Sequence, residues 1–391
     1  MIDLESADRP ITPFAERIGR LEPSPVREIL KAAAGSRVVS LAGGLPAEET
    51  FPTFAGLPGG WTQYGLSEGD APLREAISAH LLERGLACPP ERILVTSGSQ
   101  QGIDLAAKLF VQRGTRVLCE SPTYVAALQV LRLFGAELHG LPIGPEGPDP
   151  EDLAHRTVSA APHLAYVIPT YQNPSGAVWS EEARSRFATL ADLEGFAVLE
   201  DDPYGELGFD GLPPPPICSR LRRAPWMFLG SFSKSFVPGL RLGFLACSAE
   251  LWTPLERLKQ AADLHTCRLS QALVLADLQD PARPDRLDSL RDHYRQRRDA
   301  FSSSLRRHFP SAKFASPRGG LFFWARLSEH LDLRPLAPEA LRRGVAFLPG
   351  EHGFVGGQEP GWARLNFSHP DPPAADRALG ILADLLRSRE P

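Results

Sequence analysis

The stretch Gly230-Ser-Phe-Ser-Lys-Ser-Phe-Val-Pro-Gly-Leu-Arg-Leu-Gly243 sets two hydroxyls (Ser231, Ser233), one amine (Lys234), a Pro-Gly turn and one guanidinium (Arg241) between two apolar runs. Hydroxyls and a guanidinium fork match the oxygens of a phosphate. A lysine beside such a site can form a Schiff base with an aldehyde. Together they suit a phosphorylated aldehyde, although the same residue types also make ordinary surface turns.

Four other stretches carry chemistry. Thr96-Ser-Gly-Ser-Gln-Gln-Gly102 joins a strand to a helix, so Ser97 to Gln100 would offer N–H groups and hydroxyls to an anion; the same residues also read as an N-cap. Tyr124, closing Glu120-Ser-Pro-Thr-Tyr, suits either a planar ring or the core. Asn173, in Tyr171-Gln-Asn-Pro-Ser-Gly176, is common turn chemistry before a proline and is equally placed to donate to a phenolic oxygen. Glu200-Asp-Asp-Pro-Tyr-Gly-Glu206 ends an apolar strand, where an unpaired carboxylate is expensive. Asp201 is therefore expected to meet a cation: a protonated pyridine nitrogen, an arginine or a metal. No histidine lies near these carboxylates, which argues against the metal. Tyr204 follows three residues later, within reach of a ring oxygen. A phosphorylated aldehyde suggests pyridoxal phosphate, and a pyridine nitrogen at Asp201 would agree with it.

The elements that must position these residues alternate over 92–248. Strands are expected over 92–97, 116–120, 136–141, 165–169 and 197–201, with helices over 100–112, 123–134, 151–159 and 181–194. Such alternation argues for an α/β fold with a mostly parallel sheet covered on both faces, whose ligands sit at the carboxyl ends of strands. Each candidate falls at such an end. Beyond Ala249 helices dominate (251–264, 270–279, 286–308), followed by a strand-like stretch around Arg318-Gly-Gly320, a helix over 337–343, strands over 345–348 and 363–367, and a last helix over 374–387. The boundaries read as an N-terminal arm over 1–60 with one helix (25–34), a large domain over 61–280, and a smaller α+β domain over 281–391 that packs with part of the arm.

Composition narrows the class. Of 391 residues 43% are hydrophobic and 23% charged, with net charge −5, which fits a soluble protein without a nucleic-acid or anionic-membrane surface. No apolar run reaches the roughly 18 residues of a membrane span. The opening Met1-Ile-Asp-Leu-Glu-Ser is acidic where a secretory signal is basic. Five scattered cysteines without a CxxC pair suit free thiols in a reducing cytoplasm better than disulfides or zinc.

Taken in order, these pieces resemble the class I/II aminotransferases, pyridoxal-phosphate enzymes of fold type I, over essentially the whole chain. In detail the chain is similar to the subgroup of 2-aminoadipate and kynurenine-type aminotransferases. The carriers are Ala42-Gly-Gly-Leu-Pro46, Gly98-Ser-Gln-Gln-Gly102, Gly230-Ser-Phe-Ser-Lys234, Ala262-Asp-Leu-His-Thr266 and Arg364-Leu-Asn-Phe-Ser368; Asp70 and Cys267-Arg268 depart from the pattern. The resemblance implies a seven-stranded sheet in the large domain and a Schiff base at Lys234. It implies that Ser97 or Gly98, Ser99, Gln100, Ser231, Ser233 and Arg241 hold the phosphate. Tyr124 would stack on the ring, Asn173 and Tyr204 would bond its phenolate oxygen, and Asp201 would pair with the pyridinium. Arg364, helped by Asn173 and the Gly44 backbone, would clamp the substrate carboxylate. Tyr64 would reach the neighbouring subunit's phosphate, making each site shared across a homodimer. Arg27, with Ser24 beside it, would meet a side-chain carboxylate if it points inward, which would favour 2-aminoadipate or glutamate as donor. If it swings out, apolar and aromatic amino acids enter the range, with 2-oxoglutarate the acceptor by family habit. A β-lyase or decarboxylase on the same fold is the alternative. The effector module of a transcription regulator would need a DNA-binding domain that the first 60 residues do not resemble.

Overall fold

The computed structural model describes residues 38–43, 47, 65–356 and 359–389. The helix expected over 25–34 lies outside them. In chain order the strands are β1 (Val39–Ser40), β2 (Ile93–Thr96), β3 (Arg116–Ser121), β4 (Glu137–Pro142), β5 (Leu164–Val167), β6 (Ala197–Asp202), β7 (Trp226–Ser231), β8 (Gly243–Cys247), β9 (Lys313–Phe314), β10 (Phe322–Arg326), β11 (Val345–Ala346), β12 (Leu348–Pro349) and β13 (Trp362–Asn366).

Seven of them form one sheet in the order β2-β8-β7-β6-β5-β3-β4. β8 runs against both of its neighbours, and the other pairs are parallel. Strand residues alternate between two apolar cores. Ala165, Val167 and Val198 join Ile77, Phe187 and Val274 in one; Leu164, Tyr166 and Leu199 join Ile103, Leu128 and Leu255 in the other. Burial on both faces is why these strands read as continuous apolar runs. The reversal of β8 places its first residue, Gly243, opposite Thr96 and Ser231, the last residues of β2 and β7. The loop between β7 and β8 therefore stays at the edge where β2, β3, β5, β6 and β7 all end.

A second, antiparallel sheet, ordered β12-β13-β10-β9, packs with the helices Arg283–His308 and Pro372–Arg387 around a third core. Phe323 stacks on Phe301 at 5.2 Å there and meets Phe314 and Phe367 edge-on. β1 pairs in parallel with β11, tying the chain near Ser40 to this half.

Two expectations shift in this region. Arg318 to Gly320 is not a strand: Gly320 has φ of 75°, and Gly319 makes one isolated bridge to Gly208, where a Cβ would lie 2.5 Å from the Tyr171 ring. The stretch 345–348 is two short strands, β11 and β12, that belong to different sheets. The departures at Asp70 and Arg268 explain each other. Arg268 Nε lies 3.2 and 3.1 Å from the two Asp70 oxygens and Nη2 donates to Oδ1 at 3.0 Å, so the two departing positions pair with each other.

The helix Glu181–Glu194 starts where Ser180 Oγ accepts from the Ala183 N–H at 3.2 Å and ends at Gly195 with φ of 75°. It carries Arg184 fully into the interior. There Nε donates to Trp179 O (3.0 Å), Nη2 to Pro169 O (2.7 Å) and Thr170 Oγ1 (2.9 Å), and Nη1 lies 3.7 Å from Glu200. One guanidinium thus pins both ends of the segment 169–179, which contains Asn173. Arg184→Leu should lower stability by about 3–5 kcal/mol, because it strands a buried carboxylate. Adding Glu200→Gln should recover part of that loss, read from thermal or denaturant midpoints of the two variants.

Candidate active site

Lys234 leaves β7 in a loop whose neighbours are tied down on both sides. Ser233 N donates to Ser231 Oγ at 3.2 Å, and Arg241 Nη1 donates to Ser233 Oγ at 3.3 Å. Ser235 Oγ donates to Glu206, which also meets Arg283 and His80, while the Ser235 carbonyl accepts from Arg286 at 2.8 Å. Burial first, then the like charges of Arg241 and Arg364, pushes the Lys234 amine down to about 8. An amine there can act as a base near neutral pH.

Arg241 itself has φ of 51°, a left-handed conformation that costs a residue with a Cβ about 1–3 kcal/mol. Its guanidinium lies against Gly98, where an added Cβ would come within 2.7 Å of Nη2. Gly98, at φ of 75°, precedes the helix Ser99–Phe110. The first N–H groups of a helix have no partner within it and suit an anion. The sequence left Ser97 and Gly98 as alternatives. The Ser97 N–H donates to Gln101 Oε1 at 2.8 Å and its hydroxyl lies 3.5 Å from Asp263, so these donors are used within the protein. Gln100 and Tyr124 meet directly, the phenol donating to Gln100 Oε1 at 3.3 Å.

Asp201, at the end of β6, is buried. Its Oδ2 accepts from the Tyr166 hydroxyl at 2.8 Å; among the described residues Oδ1 has no hydrogen-bond partner. Burial raises the carboxyl to about 7, against the Tyr166 hydrogen bond that lowers it, and the nearby Asp202 adds to the rise. Tyr204, also buried, sits edge-on to Phe322 at 6.3 Å, and burial holds its phenol well above the usual range.

Arg364 enters from β13 and is likewise buried. Nη1 donates to Asn173 Oδ1 (2.9 Å) and Nη2 to Ala42 O (2.6 Å), and the guanidinium lies over the Phe322 ring at 4.2 Å. Among the described residues Nε has no partner. Burial brings this arginine down to about 10, still a cation at neutral pH. Ser24, Arg27, Gly44 and Tyr64 lie outside the described residues.

Several residues at this edge escaped the sequence reading. Tyr166 looked like one more apolar strand residue. Lys259, fully buried, donates to Gln101 Oε1 (2.9 Å), Asp263 Oδ2 (2.8 Å) and Thr266 Oγ1 (2.8 Å), bracing the helix start from behind. Its signal in the sequence is the run Ala262-Asp-Leu-His-Thr266, which holds two of its three partners, Asp263 and Thr266. Gln172 stood beside Asn173 unremarked.

The arrangement fits pyridoxal phosphate. Asp201 Oδ1 is a buried acceptor that lacks a donor, as a protonated ring nitrogen requires. Arg241, the two serines and the helix start collect donors for a phosphate. Lys234 supplies an amine of lowered basicity, and Arg364 Nε is a buried donor suited to a carboxylate. Among the described residues no cluster of His, Cys, Asp and Glu could hold a metal.

Comparison with known proteins agrees. Residues 30–382 match the family "aminotransferase class I and II". The chain is 36% identical to the 2-aminoadipate transaminase of Thermus thermophilus over 92% of each chain. It is 34% identical to aromatic-amino-acid aminotransferase 1 of Thermococcus litoralis, over 96% of this chain and 94% of that one. Its fold is similar to that of the α-aminoadipate aminotransferase from T. thermophilus, solved with N-(5'-phosphopyridoxyl)-L-leucine (TM-score 0.87, 35% identity, 96% and 97% of the two chains). It is also similar to the kynurenine aminotransferase of Pyrococcus horikoshii (TM-score 0.89, 31% identity, 97% and 98%). By sequence and fold over nearly its whole length, the chain belongs to the class I and II aminotransferases, and the cofactor of such an enzyme is pyridoxal phosphate.

Proposed function

We propose that this aminotransferase takes the amino group of an L-α-amino acid and passes it to a 2-oxo acid by a ping-pong cycle, with 2-oxoglutarate as acceptor. The donor is 2-aminoadipate, glutamate or a broader apolar and aromatic range; the names of the two relatives above support 2-aminoadipate and aromatic donors. The observation that carries the reading is the buried carboxyl of Asp201, with one unmatched oxygen, at the end of β6 beside the end of β7 from which the Lys234 loop leaves.

When bound, pyridoxal phosphate supplies a ring that accepts electrons from the Cα–H bond. Lys234 is proposed as the attachment point of its aldehyde. Asp201 as carboxylate keeps the proton on the ring nitrogen, and Tyr166 orients it. Gly98, Ser99, Gln100, Ser231, Ser233 and Arg241 hold the phosphate. Tyr124 would lie on the ring face, and Asn173 and Tyr204 would bond the ring oxygen. Arg364 seats the α-carboxylate, and its contact with Asn173 sets the guanidinium. Once displaced, Lys234 Nζ takes the Cα proton as base and redelivers it as acid. Arg27 and Ser24 are proposed to receive an acidic side chain, Gly44 to line the carboxylate, and Tyr64 to complete the partner's site in a homodimer. Among the described residues no helix is long and apolar enough to cross a membrane; we place the enzyme in the cytoplasm.

A panel of amino donors added to the cofactor-loaded enzyme, followed by loss of its visible band, tests the assignment. The wild type should respond, Lys234→Ala should not, and Arg27→Ala should lose only the acidic donors. A protein that takes up no pyridoxal phosphate, or a Lys234→Ala variant that turns over normally, sinks the reading.

Asp201 gives a second test. Its folded-state pKa lies above that of an unfolded aspartate, so the folded protein binds the extra proton and loses stability as the pH rises from about 4 to about 7. Asp201→Asn should therefore stabilise the cofactor-free protein by roughly 2–4 kcal/mol near pH 8, and by little near pH 4. The same substitution should weaken cofactor binding. Thermal scans at the two pH values and a cofactor titration check both signs.

A further inference from the structure

Gln172 is almost fully buried, and one carboxamide there makes four contacts. Nε2 donates to Glu120 Oε2 at 3.0 Å and to Pro122 O at 2.7 Å; Oε1 accepts from Ser175 N at 2.8 Å and Ser175 Oγ at 2.7 Å. Both amide protons and both lone pairs are used. On one side the bonds reach the loop leaving β3, two residues before Tyr124. On the other they close the turn in which the next residue, Asn173, accepts from Arg364. Glu120 also accepts from the Ile168 N–H at 3.1 Å, just past β5.

We infer that Gln172 is a positioning residue that locks the Tyr124 loop to the Asn173 turn, so that ring face and carboxylate clamp are set as one unit. The inference rests on the roles proposed above for Tyr124 and Asn173. A continuous path results: Gln100 to Tyr124 through the phenol, the Tyr124 loop to Gln172 through Pro122 and Glu120, and Asn173 to Arg364. The turn needs such a hold. Tyr171, which opens it, has φ of 49°, and a residue in that region persists only where its surroundings over-determine it. Burial raises Glu120 to about 8, so near neutral pH Gln172 faces a mostly neutral acid and the pair adds little charge beside Asp201. A lysine or arginine at 172 would place a cation there instead.

Gln172→Met keeps the side-chain volume and removes all four bonds, whereas Gln172→Glu keeps the Ser175 side and loses donation to Glu120 and Pro122. Both are made in the full chain, in wild-type and Asn173→Ala backgrounds. The readouts are the pyridoxal-phosphate dissociation constant of the cofactor-free protein, KM and kcat for the best amino donor, and the thermal midpoint. In the wild-type background both variants should raise the dissociation constant and KM by about tenfold or more, the scale of a small misplacement of reacting groups. In the Asn173→Ala background, Gln172→Met should change KM by less than about twofold, because the two residues act as one. A fall in thermal midpoint with binding and KM unchanged would assign Gln172 a packing role only and overturn the proposal. Fully multiplicative effects in the double variant would overturn it too. A wild type that binds no pyridoxal phosphate would instead sink the reading beneath.

Discussion

A carboxyl group held in an apolar interior with one oxygen bonded and the other unmatched is unstable as a carboxylate unless a cation arrives. Asp201 is in that position. Its Oδ2 is fixed by Tyr166 from the neighbouring strand, and its Oδ1 meets no donor among the described residues. The sheet buries the group because β6 is covered on both faces, and the parallel order of β3, β5, β6 and β7 delivers the other chemical groups to the same edge. Lys234 shows the mirror effect: an amine whose charge is disfavoured by burial and by two arginines. On the proposed reading, one cofactor relieves both, giving Asp201 a proton donor and Lys234 a carbonyl carbon.

Holding such groups in place requires polar contacts where an ordinary core would have none. Arg184 satisfies carbonyls at both ends of the segment 169–179, Gln172 joins that segment to the loop after β3, and Lys259 braces the helix start through Gln101. Each is buried and each has several partners, so none leaves a costly unmatched donor. Glu206, with Arg283 on the helix Arg283–His308, anchors the residue after Lys234 to the half of the molecule that carries Arg364. Lys234 and Arg364 are therefore referred to a common frame.

The strands of the large sheet were legible because burial on both faces leaves an unbroken apolar run, as in Leu164–Val167 and Trp226–Leu229. The residues ending them stood out only as an ordered set, because singly each of Asp201, Asn173, Lys234 and the serines also reads as turn, cap or ion-pair chemistry. What escaped depends on partners far apart in the chain. Tyr166 gains its meaning only when β5 is laid beside β6. Asp70 and Arg268 read as two separate departures in the sequence, and only the fold sets them 3.0 Å apart. Gln172 and Lys259 are long polar side chains whose burial no local pattern announces. Arg318 to Gly320 looked like a strand but serves as a close crossing against Tyr171, for which glycine is needed because a Cβ would meet the ring.

The central claim is that the unmatched oxygen of Asp201 is the counterion of the cofactor's ring nitrogen. It is tested most directly by loading the enzyme with pyridoxal phosphate labelled with nitrogen-15 and following the ring-nitrogen shift with pH. The expected result is a nitrogen that stays protonated well above the range of the same ring in water, and that loses this protection in Asp201→Asn. A ring nitrogen that titrates in the wild type as it does in water, or identically in both proteins, would contradict the account.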